Sequence, residues 1–274
     1  MDERRKRREA QRKKQEQQAK GCLGLIILAA MLIMGLAILW ATGPDHTWTK
    51  KLKDNPYGPG DFSSLGGYVT CTAGPTRRGI DVSEYQEKID WDEVKAGGFD
   101  FAFIRIGYRG YTSGEIHPDD LARENLAGAK SAGMDVGVYF YSQAVSPEEA
   151  ADEARWCLEF LGSEKLDLPL VYDWEWVSPE ARTGGMDKAT LTECAKTFCQ
   201  TIENGGYQPM LYFNSHISRD LLDLQELAQY PFWLAQYKEK MDYPYQVDFW
   251  QYTEEGTVPG IKGKVDIDLM FLYE

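Results

Sequence analysis

The sequence predicts an α/β chain: a β/α barrel of eight strands with fewer helices than strands, preceded by one transmembrane helix and a linker. Three observations predict it. An uncharged apolar run of 21 residues, 21–41, follows a basic head. Eight short apolar, β-rich runs recur between residues 79 and 272. Helical patterns separate the first six of these runs, and parallel strands need such crossovers.

The head, residues 1–20, carries nine Lys or Arg against four acids, a net +5. The rest carries 21 basic and 39 acidic residues, a net −18, so the whole chain is −13. An acidic body argues against nucleic acid as a partner, because phosphate contacts need clustered Lys and Arg. As a helix, 21–41 would span roughly 31 Å, the thickness of a hydrocarbon core. The basic flank puts the N-terminus in the cytoplasm and the remainder outside. Trp40 sits where an interfacial aromatic would. The expected location is therefore the cell membrane, crossed once through 21–41. A cleaved signal peptide is the alternative, although its apolar region would be about 7–15 residues.

Residues 42–76 read as a linker, with Pro44, Pro56, Pro59, Pro75 and the Gly66-Gly67 pair. If flexible, such a segment spans roughly 30–35 Å. The alternative is that part of it packs on the domain that follows. That domain, 77–274, holds the eight runs: 79–83, 101–108, 136–142, 168–176, 210–214, 232–237, 249–253 and 265–272. Helices are expected at 92–96, 118–132, 147–161, 187–204 and 218–229. Gly133, Gly162 and the Gly205-Gly206 pair stop three of them, and Pro231 follows the last. The last strands are joined by short turns. Continuous apolar strands with intervening helices argue a modified TIM-like barrel with parallel strands. An open doubly wound sheet is the alternative; no glycine-rich phosphate loop follows the first strand, which disfavours a nucleotide-binding version.

In such a barrel the active site lies at the C-terminal ends of the strands. The informative residues are acids inside apolar runs: Asp81 in GIDVS, Asp173 and Glu175 in VYDWEW, Asp266 and Asp268 in VDIDL. Burying an acid is costly unless it is paired or hydrogen-bonded. Asp173 and Glu175 are two apart, so a strand points both to one face, about 6.6–6.8 Å apart at the backbone. Two carboxylates on one inner face repel, so one should hold its proton more tightly. That is the acid/base arrangement of glycoside hydrolysis. The competing reading is an ion network that pairs Asp81 with Arg105 or Arg78. Tyr139 and Tyr141 share a face of the third strand; Tyr212, Trp233, Tyr237 and Trp250 follow on later ones. Half or more of these belong to the core. Gln236 and Gln251 adjoin aromatics at strand ends, where an amide could bond a sugar hydroxyl or acetamide. Tyr139, Tyr141, Tyr212, Gln236, Trp250 and Gln251 are thus the candidate substrate-binding residues. His46, His117 and His216 are widely spaced, and the five Cys include no CxxC pair, which argues against a zinc site. Cys71, Cys157, Cys194 and Cys199 are either bridged or buried thiols.

These motifs resemble the family 25 glycoside hydrolases, the Chalaropsis-type lysozymes. The matching stretches are GIDVSEYQEKIDW, FAFIRIGY, VGVYFYS, LPLVYDWEW, FWLAQY, FWQYT and VPGIKGKVDIDLMF, in family order across 77–274. The resemblance implies hydrolysis of the β-1,4 bond between N-acetylmuramic acid and N-acetylglucosamine in peptidoglycan. It implies Glu175 as general acid, Asp173 as its partner, and Asp81 and Asp266 in support. It implies no metal or organic cofactor; a monomer is expected. Three positions depart from the family pattern: Phe140 where His is common, Glu87 where Gly is common, and Asp268 where Asn is common. The competing functions are a wall-binding module with a degenerate site and a released lysin. The retained Asp173 and Glu175 count against the first, and the apolar run counts against the second.

Overall fold

The computed structural model describes residues 51–273. The basic head and the apolar run 21–41 lie outside the described residues. Among the described residues no helix is long and apolar enough to cross a membrane.

Eleven strands occur among the described residues: β1 (Phe62–Leu65), β2 (Tyr68–Cys71), β3 (Thr76–Val82), β4 (Phe101–Arg109), β5 (Ile116–Pro118), β6 (Asp135–Ser142), β7 (Leu170–Trp174), β8 (Pro209–Asn214), β9 (Phe232–Ala235), β10 (Phe249–Gly256) and β11 (Val265–Phe271). Eight of them close a barrel in the order β3-β4-β6-β7-β8-β9-β10-β11, with β11 returning to β3. All eight expected strands are present.

One feature departs from the expected parallel barrel. The pairings from β3 round to β10 are parallel, but β11 is antiparallel to both of its neighbours. The reason is the link between β10 and β11, residues 257–264. A parallel crossover takes a dozen or more residues, so this link can only turn the chain back. The reversal brings the start of β11 to the end of the barrel where the other strands finish. Asp266 there stands opposite Asp81 in register.

The helices are α1 (Trp91–Ala96), α2 (Ala122–Ser131), α3 (Pro147–Leu161), α4 (Lys188–Asn204) and α5 (Leu224–Leu227). Side-chain oxygens of Asp90, Ser146 and Asp187 accept backbone N–H groups in the first turns of α1, α3 and α4. Two helices are shorter than the sequence suggests. Pro118 ends β5 rather than opening α2, which starts at Ala122. The 218–229 pattern divides into a π-turn, Ile217–Leu221, and α5, because Asp223 caps a fresh start by accepting from the Gln225 N–H.

Residues 51–76 are not a free tether. β1 and β2 form a hairpin whose two-residue turn is Gly66-Gly67, with φ of 63° and 87°. A type I′ turn needs positive φ at both central positions, and glycine adopts it without strain. Phe62 and Val69 are buried, and the Phe62 ring meets Trp250 edge-on at 5.0 Å. Tyr57 stacks on Phe271 at 5.3 Å, and Asn55 Nδ2 donates to the Tyr243 carbonyl at 2.9 Å. The segment thus covers the outside of β10 and β11, where the chain supplies no helix.

Two cores result. The outer one fills the space between barrel and helices. The inner one is aromatic, with Phe101, Phe103, Trp233 and Phe249 packed inside the barrel. Phe103 stacks on Trp233 at 4.6 Å. A Cβ at Gly79 or Gly137 would fall 2.3 Å from the Phe101 or Phe103 ring, so both positions need glycine. Cys71, Cys157, Cys194 and Cys199 are free thiols, the last three buried.

Candidate active site

Above the aromatic plug the barrel opens into a cup of about 280 Å³. Three strands bring four acids into it. Asp81 stands near the end of β3, Asp173 on β7, Glu175 one residue beyond β7, and Asp266 at the start of β11. Tyr139, Tyr141, Tyr212 and Gln251 line the same cup, together with Trp233 at its base. These positions follow from alternation, because every second residue of a barrel strand faces inward.

Gln236 and Trp250, nominated from the sequence, do not reach the cup. Gln251 takes the inward position on β10, so Trp250 points outward. It is fully buried in the outer core, and its Nε1 donates to the Gln236 carbonyl at 2.8 Å. Ala235 takes the inward position at the end of β9, which sends Gln236 the other way. Its amide donates to Ser215 Oγ at 3.2 Å and accepts from the Asp242 N–H at 3.1 Å.

No arginine neutralises Asp81. Its Oδ2 instead accepts from Gln251 Nε2 at 2.7 Å, and Gln251 Oε1 accepts from the hydroxyls of Tyr212 and Tyr237 at 2.9 and 3.1 Å. Arg78 lies over the Tyr68 ring. Arg105 does line the cup, but its Nε and Nη2 donate to Asp119 at 2.9 Å and Glu84 at 3.2 Å. Asp268 is buried beneath the cup, where Oδ1 accepts from Trp233 Nε1 at 2.8 Å.

The cup therefore concentrates acids with one cation, itself committed elsewhere. Burial, then the charges of Asp266 and Asp268, hold the Asp81 carboxyl well above the usual range. Burial, then Glu175, does the same to Asp173, whose Oδ1 accepts no hydrogen bond. Glu175 is raised by burial and then by Glu254. Asp266 is pushed up to about 7 by burial, Glu254 and Glu175. Desolvation and like charge both favour the protonated form. Such a cluster can keep one carboxylic acid ready to donate while another stays ionised, which is what general acid chemistry requires.

Sequence reasoning missed several contributors. Glu254 lines the cup from β10 and adds, after burial, to the Glu175 and Asp266 shifts. Gln143, fully buried after β6, fixes the acid's backbone: its Nε2 donates to the Glu175 carbonyl at 2.8 Å, and its Oε1 accepts from Thr183 Oγ1 at 2.9 Å. A glutamine directly after an apolar strand was the available signal. Tyr85 and Gln86 enter the cup from a short turn after β3. That turn ends at Glu87 with φ 53° and ψ −139°, the one non-glycine with positive φ among the described residues.

Residues 80–261 match the family described as Glycosyl hydrolases family 25. The autolytic lysozyme of Clostridium acetobutylicum is 28% identical over 194 residues, which cover 70% of this chain and 55% of that one. This chain thus spans about half the length of that relative. Lysozyme M1 of Streptomyces globisporus is 25% identical over 199 residues, covering 69% and 66% of the two chains. The solved bacterial lysozyme of Streptomyces coelicolor superposes with a TM-score of 0.56 at 25% identity, over 72% of this chain and 92% of that one. With well over half of its length matched, the chain belongs to glycosyl hydrolase family 25.

Proposed function

We propose that the chain is a muramidase that cleaves the β-1,4 bond between N-acetylmuramic acid and N-acetylglucosamine in peptidoglycan. The observation that carries this reading is the convergence of Asp81, Asp173, Glu175 and Asp266 in one cup whose single cation is bound elsewhere. Membership of a family that includes lysozymes supports the same bond.

Glu175 is the general acid. Burial and then Glu254 raise it, which favours the protonated form that a donor to the leaving oxygen needs. Asp173 is its partner. Its unbonded Oδ1 suits it to hold the N–H of the substrate's 2-acetamido group while the acetamide oxygen attacks the anomeric carbon. Asp81 and Asp266 support the pair, and Gln251 sets the orientation of Asp81. Tyr139, Tyr141 and Tyr212 form the walls. Mass analysis of the reducing ends released from purified walls tests the bond: N-acetylmuramic acid ends are expected, and N-acetylglucosamine ends would reject it. Early-time NMR tests the route. Substrate assistance releases the β-anomer first, whereas an initial α-anomer would exclude it.

The same reading includes a membrane tether. Residues 21–41, behind a basic head, would hold the barrel on the outer face, facing the cell's own wall. Protease added to cells stripped of their wall should then digest 51–274. A protected barrel, or a soluble mature protein that starts near Pro44, would remove the tether.

A further inference from the structure

The cup is too small for the polymer it would cut. At about 280 Å³ it lies at the lower edge of ligand pockets, roughly 300–1,000 Å³, so a glycan strand must continue across the surface beyond it. Beside the cup lies a second groove of about 570 Å³. One wall is the β1–β2 hairpin, through Ser64, Gly67 and Tyr68; the other is the barrel, through Thr253 and Glu255. Tyr237 lines both the cup and the groove, so the two adjoin.

We propose that this hairpin groove is a distal subsite for the glycan strand. The inference rests on the muramidase reading. The hairpin is a built wall. Tyr68 Oη donates to the Thr257 carbonyl at 3.0 Å, its ring carries the Arg78 guanidinium at 4.4 Å, and Phe62 is buried against Trp250. The groove therefore exists before substrate arrives, which spares the ordering cost of binding.

The lining chemistry selects sugar. Tyr237 is about half exposed, at 49%, and its hydroxyl is fixed on Gln251, so it offers a held ring at the junction. An amphipathic aromatic suits a sugar's apolar face, and the hydroxyls of Ser64 and Thr253 suit its edge. Three charged residues line the groove: Lys238, Glu239 and Glu255. Lys238 is bound to both carboxylate oxygens of Asp242, at 2.8 and 2.9 Å, and Glu255 pairs with Lys264 at 3.6 Å, so two of the three charges are already balanced.

The test fills the groove from either wall of the full-length protein. Ser64 is exposed on the hairpin, and Thr253 is half-exposed on β10. Ser64→Trp and Thr253→Trp are each compared with wild type on peptide-free glycan strands, on peptide-bearing strands and on the tetrasaccharide. The ratio of kcat/KM, long over short, should fall about tenfold in both variants, the equivalent of one lost sugar contact of about 1.4 kcal/mol. An unchanged ratio in both overturns the subsite. A fall seen only with peptide-bearing strands also overturns it and gives the groove to the peptide. A wild-type protein that cleaves neither length rejects the muramidase reading itself.

Discussion

Glu153 and Asp173 are both removed from water, at 0% and 5% exposure, but their surroundings treat them oppositely. Glu153 lies on α3, outside the barrel wall. Each of its oxygens has a donor: Arg109 Nε at 2.6 Å on one, Ser142 Oγ at 2.6 Å on the other. Arg109 in turn satisfies its remaining donors on the carbonyls of Gly114 and Glu149. Asp173 lies inside the wall with an unbonded Oδ1, two residues from Glu175. Burial raises both acids, Glu153 to about 7. The difference lies in what opposes burial. Hydrogen bonds and a guanidinium oppose it at Glu153; at Asp173 only the more distant Arg105 does. A buried acid with a complete set of donors is a structural part. One left incomplete beside a like charge is held for a ligand.

The largest effects should separate these two roles. Glu175→Gln keeps the shape and removes the proton donor. Turnover of purified walls should fall about 10²–10⁴-fold, with no loss of thermal midpoint. A variant with near-normal turnover would put the acid elsewhere. Arg109→Ala should do the reverse. It strands the Glu153 carboxylate in the outer core, at a cost of about 3–5 kcal/mol in denaturant unfolding. Turnover per folded molecule should change little. Equal losses of activity and stability in either variant would erase the distinction.

The next effect is the pH dependence of stability. Asp266 has an ordinary carboxyl value near 3.8 when unfolded and about 7 when folded. The native state therefore binds more protons across that window. Stability then falls as pH rises from about 4 to about 7. Glu153, also raised to about 7, has the same sign. Asp266→Asn should flatten part of the fall and leave the share that belongs to Glu153 and the other cup acids. Thermal midpoints at pH 4, 5.5 and 7 measure it. A variant that loses as much stability as wild type over that range would show that Asp266 is not held protonated.

The two acids also differ in how legible they were. Asp173 and Glu175 stood out because two acids interrupt an apolar strand run, and alternation places both inward. Glu153 did not, because an acid in an amphipathic helix reads as solvated until its partner is known. Arg109 is 44 positions away, and only tertiary packing joins them. The same limit explains Gln236 and Trp250. One residue of register decides inside from outside, and the end of β9 could not be fixed from FWLAQY. The reversed β11 follows from a link too short for a crossover, a length visible in the sequence but not weighed. The Gly66-Gly67 pair was read as linker composition. Flanked by FSSL and YVTC, it is equally the mark of a two-residue hairpin.

The smallest expected effect concerns the mouth of the cup. Glu87 holds φ 53° and ψ −139°, a region that side chains with a Cβ rarely occupy, at a cost of about 1–3 kcal/mol. Glycine adopts it freely but loses roughly 0.5–1 kcal/mol more backbone entropy on folding. Glu87→Gly should therefore stabilise by about 1 kcal/mol in denaturant unfolding, whereas Glu87→Ala, which keeps the Cβ, should not. Glu87 ends the turn that carries Tyr85 and Gln86 into the cup, and its N–H closes that turn on the Glu84 carbonyl at 3.0 Å. Strain therefore sits on the same side of the barrel wall as the incompletely bonded Asp173. The outer pair of Arg109 and Glu153 has no such neighbour. If the glycine variant gains stability and keeps turnover, the strain is a local cost of the glutamate alone. If it gains stability and loses turnover, the strained turn is part of how Tyr85 and Gln86 are held over the acids.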